Sequence, residues 1–153
     1  MSALDRVDRA LLALLQNDAS MSIADIGELV GLSTSPCARR IRRLENDGYI
    51  TATVARVSRE KLKLDIMVFV QVRLSQHKDA MVSNFEDSVS LMKEVVSCYT
   101  VSGGFDYLLQ VVCRDLSNYE QWLKRLQKLD AVSQVDSSFS IRTVKEAGAY
   151  SID

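Results

Sequence analysis

The sequence is poor in the residues that tie small scaffolds together. It holds three cysteines, Cys37, Cys98 and Cys113, an odd number with no CxxC pair. That excludes a disulfide framework and a zinc site, because both need clustered ligands. The thiols read as buried or incidental groups in a reducing compartment. The single histidine, His77, has no metal-ligating neighbour, so neither a metal nor another cofactor is expected. No apolar run approaches the ~20 residues that span a bilayer, which argues against a membrane partner. The opening Met1-Ser2-Ala3-Leu4-Asp5-Arg6 passes directly into an acidic, helix-like pattern unlike a signal peptide. Cytoplasm is the expected location. No nucleophile–base pair, recognisable carboxylate pair or phosphate-binding glycine loop is present, so catalysis is not expected. No Gly/Ser/Pro-rich linker interrupts the chain, so any connection between domains is structured rather than loose.

What is present is an ordinary globular composition, 47% hydrophobic and 25% charged over 153 residues. That is enough for one medium domain or two small ones and leaves no case for disorder. The net charge of −1 hides an uneven distribution: residues 1–64 carry ten Lys/Arg against eight Asp/Glu, and residues 65–153 carry nine against twelve. Arg39, Arg40, Arg42 and Arg43 fall within five residues. This cluster calls for a partner.

Apolar residues at Val7, Leu11, Leu14 and Leu15 give Leu4–Gln16 a helical period, with Asp5 as its cap and Asp8 in the first turn, where the helix dipole favours negative charge. A second short helix is expected behind a Ser22/Asp25 capping box, with Ile23, Ile26, Leu29 and Val30 inward and Gly31 as its stop. Ser33 then caps a third helix, with Thr34 and Ser35 at its entry and Pro36 in the first turn, where a missing N–H costs nothing. Two helices joined by a short glycine-containing turn form the helix-turn-helix pattern. At 100° per residue, Cys37, Ile41 and Leu44 share one stripe of the third helix. Arg39, Arg42, Arg43 and Asn46 lie opposite, with Arg40 at the margin. The β-prone stretch from Tyr49-Ile50 through Val57 reads as a wing and a strand leading out of the domain.

From Ile66 the period changes to two. Strands are expected at Ile66–Leu74, Val95–Val101, Phe105–Cys113 and Val132–Val144. Helices are expected at Asp79–Met92 and behind a Ser117/Glu120 capping box, with Tyr119 and Trp122 as core. The fold class is α+β: a winged helix-turn-helix followed by a ferredoxin-like βαββαβ domain with a four-stranded antiparallel sheet. The domains are placed at 1–60 and 61–153. Both registers of the strands are apolar, Tyr107, Leu109 and Val111 against Leu108 and Val112 in the third. Two helices cover only one face, so a second subunit is expected on the other.

Leu4-Asp5-Arg6-Val7-Asp8, Val30-Gly31-Leu32-Ser33, the run Pro36 to Glu45, Gly48-Tyr49-Ile50, Val101 to Leu109 and Thr143-Val144-Lys145 together resemble the leucine-responsive/asparagine-regulator (Lrp/AsnC) family, in its order and spacing from Leu4 to about Lys145. The resemblance implies a transcriptional regulator whose C-terminal domain dimerises, assembles further, commonly to octamers, and binds an amino acid between dimers. It implies an effector loop at Gly103-Gly104-Phe105-Asp106, where Gly104 replaces the family's acidic residue. It also implies contacts from Val135 and Ser137, which stand where many members carry Thr-x-Thr.

For DNA, the third helix offers Ser33, Thr34 and Ser35 at its N-terminus, where N–H groups donate to phosphate. Arg39 and Arg43 are angled as base readers, and Arg40 and Arg42 as phosphate clamps. For the effector, the Gly103-Gly104 backbone suits a carboxylate and Asp106 an ammonium group. With Phe105, Tyr107 and Val135 nearby and no acid at 104, a neutral amino acid such as leucine or methionine is favoured over a basic one. An architectural DNA-packaging protein without an effector is the rival reading.

Overall fold

The computed structural model describes residues 3–146 and 148–152. The chain divides after Arg56 and again after Thr143: the N-terminal segment groups with the C-terminal tail, and Val57–Thr143 form a second unit. Sequence reading put the boundary four residues later and gave the tail to the second domain. The tail joins the first unit through reciprocal bonds, Gln16 Nε2 donating to the Tyr150 carbonyl at 2.9 Å and Tyr150 N–H to Gln16 Oε1 at 2.8 Å. Met1, Ser2, Ala147 and Asp153, included in the expected domains, lie outside the described residues.

The first unit contains α1 (Arg6–Asn17), α2 (Ile23–Val30) and α3 (Thr34–Asn46). Asp5 caps α1 in a reciprocal box with Asp8. At α2 the box is half formed: Ser22 accepts from Asp25 N–H at 3.1 Å, while its own hydroxyl goes to the Asp25 carboxylate at 2.6 Å. Gly31 leaves α2 at φ +71°, and Leu32 N–H closes on the Gly27 carbonyl at 2.8 Å. A Cβ on Gly27 would sit 2.7 Å from the Leu32 carbonyl oxygen, so the tight turn that aims α3 needs glycine there. Leu11, Ile26, Cys37 and Leu44 form the core of this unit, with Val7, Leu14, Leu15, Val30 and Ile41 packed around it.

The expected wing is not a strand in the chain by itself. Residues 51–58 are exposed and without regular structure. A β-prone segment needs a neighbouring strand for its backbone groups, and none lies beside it among the described residues.

The second unit runs β1 (Ile66–Leu74), α4 (Asp79–Ser90), β2 (Val95–Thr100), β3 (Tyr107–Cys113), α5 (Leu116–Gln127), β4 (Val132–Phe139). The antiparallel sheet has the order β2-β3-β1-β4, the expected ferredoxin-like arrangement. Val68, Val70, Val72 and Leu74 of β1 and Tyr107, Leu109 and Val111 of β3 are buried together with Phe85, Val89, Trp122 and Leu126 of the helices. Several boundaries move from their expected places: α4 ends at Ser90 rather than Met92, β2 at Thr100 rather than Val101, and β3 starts at Tyr107 rather than Phe105. Asp115, not Ser117, caps α5, accepting from Asn118 N–H at 2.8 Å. β4 ends at Phe139 rather than Val144, because β1 begins at Ile66 and the last bond, Ser140 N–H to the Met67 carbonyl, uses up the partner strand.

The sheet's other face carries Met67, Phe69, Gln71 and Arg73 of β1 and Leu108, Gln110 and Val112 of β3, none of them buried. It is apolar with polar residues interspersed rather than uniformly apolar. Among the described residues no helix is long and apolar enough to cross a membrane.

Candidate nucleic-acid interface and effector loop

The apolar seam of α3 fixes what the rest of the helix presents. Cys37 and Leu44 are fully buried and Ile41 half-buried, so Arg39 and Arg42 point to solvent. Ser33, Thr34 and Ser35 are exposed at the helix start. Ser33 occupies the cap position without the side-chain bond the sequence suggested, so its hydroxyl is not engaged with the helix. Ser35, Ala38, Arg39, Arg42, Arg43, Asn46 and Asp47 line an open concavity along this surface.

The four arginines do not form one group. Arg40 Nη1 bonds Asp5 Oδ2 at 2.6 Å and Asp8 Oδ1 at 2.9 Å, and Arg43 Nη2 bonds Asp8 Oδ2. Asp8 is buried, with 1% of its surface exposed, and its Oδ2 also accepts from Asp5 N–H at 3.2 Å. The Asp5 carboxyl lies below the usual range, first because Asp8 N–H donates to it and then because of Arg40; the same pairing raises Arg40. No such partner is found for Arg39 or Arg42 among the described residues. From the sequence, Asp5 reads only as a cap and Asp8 only as a first-turn acid favoured by the helix dipole. The missed signal is spacing: Leu4, Asp8, Leu11 and Leu15 share one helical stripe, and an acid within an apolar stripe needs a cation brought to it.

In the second unit the loop between β2 and β3 holds Gly103 at φ +128°, a conformation open to glycine, whereas Gly104 has an ordinary φ. The turn therefore needs one glycine, not two. Two residues of the β1 end brace it. Arg73 donates to the Gly104 carbonyl through Nε at 2.8 Å and again through Nη2, and its guanidinium lies 5.4 Å from the centre of the Phe105 ring. Asp106 accepts from Leu74 N–H at 2.7 Å through Oδ2, and its Oδ1 meets His77 Nε2 at 2.8 Å. These contacts, the Leu74 N–H first, hold the Asp106 carboxyl below its ordinary range. Arg73 and His77 were not picked out from the sequence, since the β1–β3 register that brings them to the loop is not readable from one chain.

The remaining two expected effector residues stand apart from the loop. Val135 is paired with Val72 across β1 and packs half-buried against the core. Ser137 accepts the Tyr119 hydroxyl at 2.6 Å, so it faces the helix layer with its oxygen engaged. Gly103 to Asp106 thus form a cluster with Arg73 and His77, and Ser137 does not belong to it.

Comparison with known proteins also divides the chain in two, with residues 144–150 falling to the second domain as the sequence reading has them. The AsnC-type helix-turn-helix domain model matches residues 4–45, and the Lrp/AsnC ligand binding domain model matches residues 67–150. The chain is 36% identical over 151 residues to the DNA-binding transcriptional activator DecR of Escherichia coli, covering 98% of this chain and 99% of that protein. Among solved structures, an AsnC family transcriptional regulator from Agrobacterium tumefaciens matches with a TM-score of 0.89 and 38% identity over 94% of each chain. A transcriptional regulator from Neisseria meningitidis, solved as an L-Met complex, matches with a TM-score of 0.94 and 30% identity over 99% of this chain and 98% of its own.

Proposed function

The chain belongs to the Lrp/AsnC family of DNA-binding transcriptional regulators, and on that footing we propose that it reads duplex DNA with α3, assembles through its sheet domain and responds to a neutral amino acid. The observation that carries the DNA half is the exposure of Arg39 and Arg42 beside the free N-terminus of α3, where Ser33, Thr34 and Ser35 are open to phosphate. Two unpaired guanidiniums on the third helix of a helix-turn-helix supply both charge and forked donors for base edges. The assembly is a homodimer extending to a higher oligomer, an octamer as the family resemblance implies, in the cytoplasm.

Arg39→Ala and Arg42→Ala are each expected to flatten the slope of log affinity against log salt by about 0.9 if the lost contact is to phosphate. They cost ~1–3 kcal/mol at the cognate site if it is bidentate to a base. Fluorescence anisotropy with labelled duplex over a salt series measures both. Unchanged affinity and slope in both folded variants would remove α3 as the recognition helix.

The effector half rests on the Gly103–Asp106 loop and is supported by the L-Met complex of the Neisseria relative. The Asp106 oxygens each carry one protein bond and retain a lone pair apiece for an ammonium group. Phe105 favours an apolar side chain, whereas Tyr107, expected beside it, is buried in the core with its hydroxyl on Glu86. In calorimetry, leucine or methionine is expected to bind more tightly than lysine or arginine, and the reverse order would overturn the charge argument. The architectural reading draws on the same loop, because its carboxylate and the Gly104 carbonyl already have partners within the chain. Absence of a thermal shift with every amino acid would favour that reading, since a specific ligand stabilises the native state.

A further inference from the structure

Four arginines on a recognition helix suggest four DNA contacts, and the side-chain geometry of α1 and α3 does not. We infer that Asp5 and Asp8 of α1 act as positioning residues that withhold Arg40 and Arg43 from DNA, so that the cluster presents two free guanidiniums, Arg39 and Arg42, instead of four. The inference rests on α3 being the recognition helix and states which of its arginines that helix uses.

Arg43 is hindered by geometry and compensated by charge. A guanidinium grips guanine or a phosphate through two adjacent N–H groups, either Nη1 with Nη2 or Nε with Nη2. In Arg43 the Nη2 is bonded to the buried Asp8 carboxylate, and the Nε is itself buried without a partner. The Nε–Nη2 fork is therefore closed, and the remaining Nη1 edge, on a side chain 39% exposed, belongs to a guanidinium already compensated by the Asp8 carboxylate. Helical angle alone points this residue at the bases; the carboxylate one helix away engages its Nη2 and neutralises its charge.

Arg40 is closed by charge. Its Nη1 serves two carboxylates at once, Asp5 at 2.6 Å and Asp8 at 2.9 Å. A phosphate approaching Arg40 meets a guanidinium already compensated by two acids, one of them exposed at the surface. Binding it there would either displace those carboxylates or set an anion beside them, and neither releases counterions as a free arginine would. The two aspartates thus stand where phosphate oxygens would otherwise stand. Asp8 is held for this task by burial and by the Asp5 N–H, and Asp5 by the Asp8 N–H.

The test is the salt slope of binding to a short duplex of random sequence, with far-UV circular dichroism to establish folding. Asp8→Asn removes the charge while keeping the shape. It is expected to steepen the slope by about 0.9 for each guanidinium set free. A purely structural role for Asp8 would change stability and leave the slope where it was. Because Asp8→Asn can fail to fold, a second variant combines Asp8→Leu with Arg43→Met, replacing the buried pair by apolar side chains. If Arg43 is withheld, removing it leaves the slope unchanged or steeper. A slope shallower by about 0.9 in this double variant, or an unchanged slope in folded Asp8→Asn, overturns the inference. Arg39→Ala and Arg42→Ala in the same titration separate the two levels. If they have no effect, α3 is not the recognition helix. If they flatten the slope while the Asp8 variants behave contrary to expectation, only the withholding of Arg40 and Arg43 fails.

Discussion

Asp8→Ala is expected to destabilise the helix-turn-helix unit by ~3 kcal/mol, near the lower end of the ~3–5 kcal/mol lost when one member of a buried ion pair is removed. The lower end applies because Arg40 and Arg43 keep 29% and 39% of their side-chain surface exposed and can turn toward water once released. The loss has three sources: two guanidiniums lose a carboxylate, the capping box loses its N3 side chain, and the core gains a void beside Leu11. Stability of ~0.05–0.15 kcal/mol per residue is typical, so a unit this small has little margin, and a loss of this size unfolds much of it. Urea denaturation followed by far-UV circular dichroism would report the loss of α1–α3. Emission from Trp122, the sole tryptophan and fully buried in the other unit, follows Val57–Thr143 independently. The expected result is an early circular dichroism transition with the Trp122 transition unmoved. An unchanged midpoint for α1–α3 would mean that the Asp8 pair contributes no net stability.

The fold was legible in the sequence wherever one local period decided it. The three N-terminal helices, their Asp5 and Gly31 ends and the βαββαβ order follow from spacing and punctuation within a dozen residues. Errors arose where the deciding partner lies far away in the chain. Residues 51–58 have β propensity but no neighbouring strand, and β4 stops where β1 runs out. The candidate sites show the same limit. Helical angle separated the seam Cys37–Ile41–Leu44 from the arginine face, yet it ranked Arg39 with Arg43 and Arg40 with Arg42. The structure pairs them differently, because Asp5 and Asp8 lie 32 to 35 residues upstream and reach only the inner two. In the effector loop, Asp106 was recognisable as an acid in a glycine turn. That it also ties down the end of β1 through Leu74 and meets His77 depends on strand register, which a single sequence does not disclose. Ser137 was assigned by analogy to a hydroxyl pattern, and its strand parity turns it toward Tyr119 instead.

Phe69→Asp is expected to reduce the assembly to a 17.1 kDa monomer. The argument starts from parity. Even positions of β1 and odd positions of β3 are buried under the helices, which leaves Met67, Phe69, Leu108 and Val112 on the open face, with Tyr99 of β2 beside Leu108. In one chain alone Phe69 is 40% and Tyr99 60% exposed. Large apolar surface left open near the middle of a sheet favours burial against another copy, and a symmetric pairing uses the same patch on both. Aspartate at position 69 would then place an unpaired carboxylate on each half of a dry contact, at a cost of several kcal/mol per ion. Even ~3–5 kcal/mol weakens association by roughly 10²–10⁴-fold. In the isolated chain the same aspartate faces water, so the fold should survive, with native far-UV circular dichroism and unshifted Trp122 emission. Light scattering at micromolar concentration should give even multiples of 17.1 kDa for the natural protein and one copy for the variant. DNA affinity should fall with the lost assembly, because two half-sites engaged from one dimer are held at high effective concentration and two separate monomers are not. A natural protein that is monomeric at this concentration, or a Phe69→Asp variant of unchanged mass, would show that the open face of the sheet is not where copies meet.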